Sequence, residues 1–107
     1  MSQERRDAHR YDCAVKIRYA RGGRTIYGGQ ALDISRTGAR LVLDDAASSP
    51  GELTIEFEGK VSVLARTVWA ERLPGGERMV GVVFEGLPYG QQEYLANYLW
   101  ELNSRAA

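Results

Sequence analysis

Only one cysteine, Cys13, occurs in the 107 residues, which excludes an internal disulfide and fits a reducing compartment. One histidine and one cysteine, with no ligand-spaced cluster, leave no donor set for a metal. No apolar run approaches the ~20 residues that span a bilayer, so membrane insertion is not expected. Met1 is followed by polar and charged residues without an apolar segment, so no secretory signal peptide is visible. Excess charge is missing too. Fourteen basic residues balance fourteen acidic ones, which argues against non-specific attraction to nucleic acid or anionic lipid. These absences lead us to expect a soluble, cytoplasmic chain with one small core.

What is present is alternation. In "CAVKIRYA", Val15, Ile17 and Tyr19 share one face and Lys16 and Arg18 the other, the period of a strand. "TIYGGQALDI" reads as a second strand, in which Gly28 and Gly29 suggest a bulge or a close backbone approach. "ARLVL" is a third, and "LTIEFE" a fourth with Leu53, Ile55 and Phe57 inward. "KVSVLARTVWAE" is long and apolar on both faces, as suits a strand crossing a barrel, and "MVGVVF" is a sixth. "RGGR", "SRTG", "DDAASSPG" and "RLPGGER" separate them as turns and loops.

The period changes at the C-terminus. Tyr94, Leu95, Tyr98, Leu99 and Leu102 recur at helical spacing and predict one apolar stripe packed on the strands. Trp100 falls nearly opposite the centre of that stripe, which makes it a candidate contact for another chain. The expected fold is therefore mainly β: a six-stranded antiparallel β-barrel with a C-terminal α-helix packed on it. Residues 1–10 are expected to form a flexible ligand-binding arm, residues 11–87 the barrel and residues 88–103 the helix. Cys13, beside Val15, is expected to be core.

Charge is unevenly spread along the chain. Residues 1–40 hold nine basic residues against four acids, and residues 41–107 five against ten. A basic N-terminal part on a neutral protein suggests a local anion site. Arg6 and Arg10 lie four apart in the arm. Asp33 and Ser35 lie two apart at a strand end, so their side chains point the same way, and Ser35–Gly38 suits a β-turn with Ser first and Gly last.

Together these motifs resemble the PilZ domain family, bacterial receptors for cyclic di-GMP. Arg6 and Arg10 fill its Arg-x-x-x-Arg motif, and Asp33, Ser35 and Gly38 in "DISRTG" fill its Asp/Asn-x-Ser-x-x-Gly motif. "ARTVWA" around Trp69 is similar to the family's fifth strand, and "MVGVVFEGL" with Gly81 and Phe84 to its last. The resemblance implies a cyclic di-GMP site at Arg6, Arg10, Asp33, Ser35 and Gly38, with Arg5, Arg36 and Trp69 as candidate secondary contacts. The chemistry suits that ligand. A guanidinium fork pairs with phosphate or with guanine O6 and N7, and stacks on the purine. The acceptor-only Asp33 suits guanine N1–H and N2–H₂. Ser35 falls on guanine or the phosphate-sugar backbone. Gly38 gives the ligand close access, or adopts positive φ. The resemblance implies no catalysis and no cofactor beyond the ligand.

Three other readings carry less. A catalytic set of His9, Ser35 and Asp33 has little support, because a lone histidine in a charged arm is usually solvated. A PilZ-like adaptor that binds protein rather than nucleotide is the serious alternative, although the intact motifs count against it. "RGGR" as an RNA contact is better explained as a glycine turn. A receptor of this size acts through a downstream protein partner, with Trp100 the candidate contact, and a homodimer is compatible with the same features.

Overall fold

The computed structural model describes residues 11–21, 25–44 and 51–106. Six strands follow one another: β1 (Tyr11–Arg21), β2 (Thr25–Ile34), β3 (Gly38–Leu43), β4 (Glu52–Phe57), β5 (Val61–Arg72) and β6 (Arg78–Phe84). All neighbours are antiparallel. They close into a barrel in the order β1-β2-β3-β6-β5-β4, with β1 pairing β4. Closure gives every strand a neighbour on both sides over part of its length, which shortens the exposed edges.

The alternation seen in the sequence sorts side chains as expected. Val15, Ile17 and Tyr19 point inward from β1, and Leu53, Ile55 and Phe57 from β4. Val61, Val63 and Ala65 complete the same side of the core, while Leu64, Val68 and Trp69 form the outer apolar face of β5. The length of β5 has a purpose. Residues 61–66 pair with β4 and residues 65–72 with β6, so one strand spans two neighbours. Gly28 and Gly29 pair in regular register, without a bulge. Gly29 serves the close approach instead, since a Cβ there would lie 2.7 Å from the Val42 carbonyl oxygen. The Cys13 side chain and the "RGGR" turn residues 22–24 lie outside the described residues.

The C-terminal helix α1 (Tyr89–Ala106) ends three residues later than expected. Leu95, Tyr98, Leu99 and Leu102 are buried, each contributing roughly 1.5–3 kcal/mol by leaving water. The Tyr98 ring lies 6.2 Å from that of Phe57, which in turn meets Phe84 edge-on at 6.1 Å. Tyr94 departs from expectation and is 69% exposed. It sits at the flank of the stripe, one helical quarter-turn from its centre, where a phenol remains solvated at little cost. Trp100 is exposed, as its position opposite the stripe predicts.

Polar contacts fix the helix at the β4–β5 turn. Glu58 and Gly59 both adopt positive φ, the pattern of a tight hairpin turn. Glu58 accepts a hydrogen bond from the Tyr98 hydroxyl at 2.8 Å and pairs with Arg105 at 2.9 Å. Lys60 and Arg105 both reach Glu101, at 2.6 and 2.9 Å. Hydrogen bonds from Lys60 and then Arg105 hold the Glu101 carboxyl below its ordinary pKa, despite an opposing contribution from burial.

Candidate functional site

The site begins with two irregularities in strand pairing. Between Ala31, opposite Leu41, and Asp33, opposite Arg40, β2 carries one extra residue, Leu32. Between Thr67, opposite Val82, and Trp69, opposite Gly81, β5 carries another, Val68. A bulge reverses which face the following residues present. Because Arg40 also pairs with Gly81, the two bulges align four residues across four strands: Asp33, Arg40, Gly81 and Trp69. The row lies on the barrel exterior, since Ala39, Leu41 and Leu43 of β3 point inward on either side of Arg40. At ~4.8 Å per strand it is about 14 Å long.

Each member has a defined environment. Asp33 is 1% exposed, and its Oδ2 accepts hydrogen bonds from Arg40 Nε at 2.7 Å and Nη2 at 2.6 Å. Gly81 provides floor space. A Cβ there would collide with Nε1, Cε2 and Cδ1 of Trp69, so the indole lies over the glycine. Trp69 remains 42% exposed in that position. A groove of about 230 Å³ runs along this surface, lined among others by Ser35, Gly38, Arg40, Val68, Trp69 and Gly81.

The adjoining turn is built by Ser35. Its Oγ accepts hydrogen bonds from the backbone N–H groups of Thr37 at 3.1 Å and Gly38 at 3.2 Å. The Ser35 N–H donates to the Gly38 carbonyl at 2.8 Å, and Phe84 N–H donates to the Thr37 carbonyl, tying the turn to β6. Ser35 is buried and occupied in holding the loop. Gly38 is not among the residues with positive φ. Its need for glycine comes from the sheet, because a Cβ would run into the Val82 carbonyl oxygen.

Asp33, Ser35, Gly38 and Trp69 are thus brought together. Arg36 is exposed and lines a different hollow of about 510 Å³, between the turn, Phe84 and the start of α1. Trp100 lies on α1, away from the row. Arg5, Arg6, His9 and Arg10 lie outside the described residues. The chain that carries them enters the barrel at Tyr11, which pairs with Ile34, between Asp33 and Ser35. Arg40 belongs to neither motif, although the hairpin register places it: counting outward from the Ser35–Gly38 turn sets residue 40 opposite residue 33. Gly81 was noted only as part of a strand, and nothing local announces its contact with Trp69. Among the described residues, no group of three or more His, Cys, Asp or Glu could hold a metal ion, and no helix is long and apolar enough to cross a membrane.

Comparison with known proteins places this geometry. No curated protein matches the sequence. Among solved structures, the PilZ domain of YcgR from Escherichia coli, with c-di-GMP, superposes with a TM-score of 0.74 at 12% identity, covering 96% of this chain and 95% of that one. MotI/DgrA, the inhibitor of motility from Bacillus subtilis, gives 0.72 at 19% identity and 95% coverage of this chain. The MrkH–c-di-GMP complex of K. pneumonia gives 0.69 at 14% identity and 96% coverage. This chain spans about half of the last two, 53% of each. Identities this low establish a shared fold. Family is established by the PilZ domain model, whose match runs over residues 4–100 and takes in both the arginine pair and the Ser35 turn; the chain belongs to the PilZ domain family.

Proposed function

We propose that this chain is a cyclic di-GMP receptor whose N-terminal arginines close over the nucleotide on the Asp33–Trp69 row. The observation that carries the proposal is the junction of arm and row, where Tyr11 pairs with Ile34 beside Asp33 and Ser35. Arg6 is five residues from Tyr11, an extended reach of up to ~17 Å, against a row about 14 Å long. Arg6 therefore reaches a ligand anywhere on the row, and Arg10, one residue from Tyr11, reaches one at the Asp33 end. Asp33 reads the guanine N1–H and N2–H₂ edge, Trp69 offers an exposed ring for stacking a base, and Arg6 and Arg10 take phosphate or the O6 and N7 edge. Arg5 stands beside them as a further arm contact. Arg36, on the opposite side of the turn, is the weakest of the secondary contacts. The fold's relatives support the ligand, two of them being complexes with c-di-GMP.

Four or five contacts of ~1–3 kcal/mol, less the cost of association and of ordering the arm, leave roughly −7 to −10 kcal/mol. That is a Kd of order micromolar or somewhat below. The domain binds and relays without catalysis of its own, acting on a protein partner through the exposed side of α1 that carries Tyr89 and Trp100. Titration calorimetry with cyclic di-GMP tests the proposal, with GTP and cyclic di-AMP as controls. Wild type binds cyclic di-GMP selectively, and Arg10→Ala loses at least tenfold in affinity. Unchanged affinity in that variant removes the arm from the site, and no binding in wild type leaves the protein-adaptor reading.

A further inference from the structure

We infer that Arg40 is a positioning and specificity residue of this site: its guanidinium fork sets the Asp33 carboxylate in the orientation that reads the guanine donor edge. The inference rests on the receptor function proposed above. It starts from the pair itself, in which Nε and Nη2 of Arg40 both donate to one oxygen, Oδ2, at 2.7 and 2.6 Å. Two donors on one rigid planar group fix both the place and the plane of a carboxyl, which a single ammonium does not.

The pairing is written into the sheet. The Ser35–Gly38 turn sets Asp33 directly opposite Arg40, and the extra residue at Leu32 keeps Asp33 on the outer face although Ala31 points inward. On the other side Arg40 faces Gly81, which brings no side chain to compete for the guanidinium. Asp33 is 1% exposed, whereas the Arg40 side chain is 42% exposed and lines the groove beside Trp69. Arg40 therefore stands between the buried carboxylate and the open surface where a base would lie. A carboxylate free to rotate about its last torsion accepts one donor as readily as two. Held by the fork, it presents a fixed edge to a base that offers two donors, N1–H and N2–H₂. Discrimination at the N2 amino group is thus the property that Arg40 controls.

The test compares cyclic di-GMP with cyclic di-IMP, which lacks the N2 amino group, by calorimetric titration of wild type, Arg40→Gln and Arg40→Lys. Wild type prefers cyclic di-GMP by roughly tenfold or more. Arg40→Gln brings that ratio close to unity by weakening cyclic di-GMP selectively, and Arg40→Lys, which keeps charge without the fork, falls between. In an Asp33→Asn background, Arg40→Gln adds no further loss, because its effect runs through Asp33. Should Arg40→Gln fail to fold by circular dichroism, Arg40→Lys and the double variant, which buries no unpaired carboxylate, decide the matter. An unchanged ratio in the Arg40 variants overturns the inference. So do additive losses in the Asp33→Asn background, which would make Arg40 a direct ligand contact. If wild type binds neither nucleotide, the receptor function itself falls.

Discussion

Replacing Gly81 by alanine should disable the outer face while sparing the core. The three atoms nearest to a Cβ at this position all belong to the Trp69 indole, and all lie inside van der Waals contact. The backbone itself raises no objection, since Gly81 lies in a regular strand without positive φ. The indole must therefore lift off the sheet. Its loss of contact, together with the strain of partial displacement, costs about 1–3 kcal/mol. Alanine recovers roughly 0.5–1 kcal/mol over glycine in a strand, so the net destabilisation is at most about 2.5 kcal/mol and centres near ~1 kcal/mol. At ~4–8 °C per kcal/mol, melting falls by roughly 4–8 °C at that central value. The stringent arm is Gly81→Ala in a Trp69→Ala background. With the indole gone, the sign should reverse and the extra methyl should stabilise slightly. Urea unfolding followed by circular dichroism measures both, and Trp69 fluorescence reports the lifted ring in the single variant. Equal destabilisation with and without Trp69 would refute the reasoning, because the cost would then lie in the strands.

Ser35→Ala strips the acceptor from the Thr37 and Gly38 N–H groups and should lower stability by about 1–3 kcal/mol in ligand-free protein. An unchanged urea midpoint would show that the hydroxyl does not hold the turn. Leu99→Ala opens a cavity between α1 and the barrel at a cost of about 2–5 kcal/mol, read as a lower thermal midpoint with loss of helical ellipticity. The Glu101 contacts predict a pH effect of definite sign. A folded-state pKa below its unfolded value gives stability that is present above the ordinary carboxylate range and lost as pH falls through the folded value. Wild type should thus melt slightly above Glu101→Gln at pH 7, with the two curves converging below about pH 4. A gap that persists in acid would contradict the assignment.

How far the sequence revealed the barrel follows from the physics of alternation. β1 and β4 carry strictly alternating apolar residues, and period two determines both their type and their inward face. α1 was legible through Leu95, Tyr98, Leu99 and Leu102, because a stripe at helical spacing can be buried only by a helix. Tyr94 was misjudged for a related reason. Spacing locates a residue on the stripe's edge but does not say how far the barrel surface extends beneath it. The glycines of β2 show the same limit from the backbone side. A glycine pair signals that something comes close without saying whether the ladder breaks, and here it stays regular.

The site divides along another line. Residues tied to a short hairpin can be placed by counting, since the Ser35–Gly38 turn sets Ile34 opposite Ala39 and Asp33 opposite Arg40. Trp69 and Gly81 cannot, because the β5–β6 register slips at Val68 and a one-residue slip exchanges the two faces of a strand. Without that slip Val68 would face Gly81 and the indole would point away from Arg40. The same logic recasts the motif residues. Ser35 and Gly38 are required by the ligand-free fold, the one for the turn's N–H groups and the other for the Val82 carbonyl. Their presence in a sequence therefore certifies the platform. In the receptor proposed above, capacity for the nucleotide rests on the groups the platform presents, Asp33 held by Arg40 and the open ring of Trp69, and on the arginines that precede β1 in the sequence.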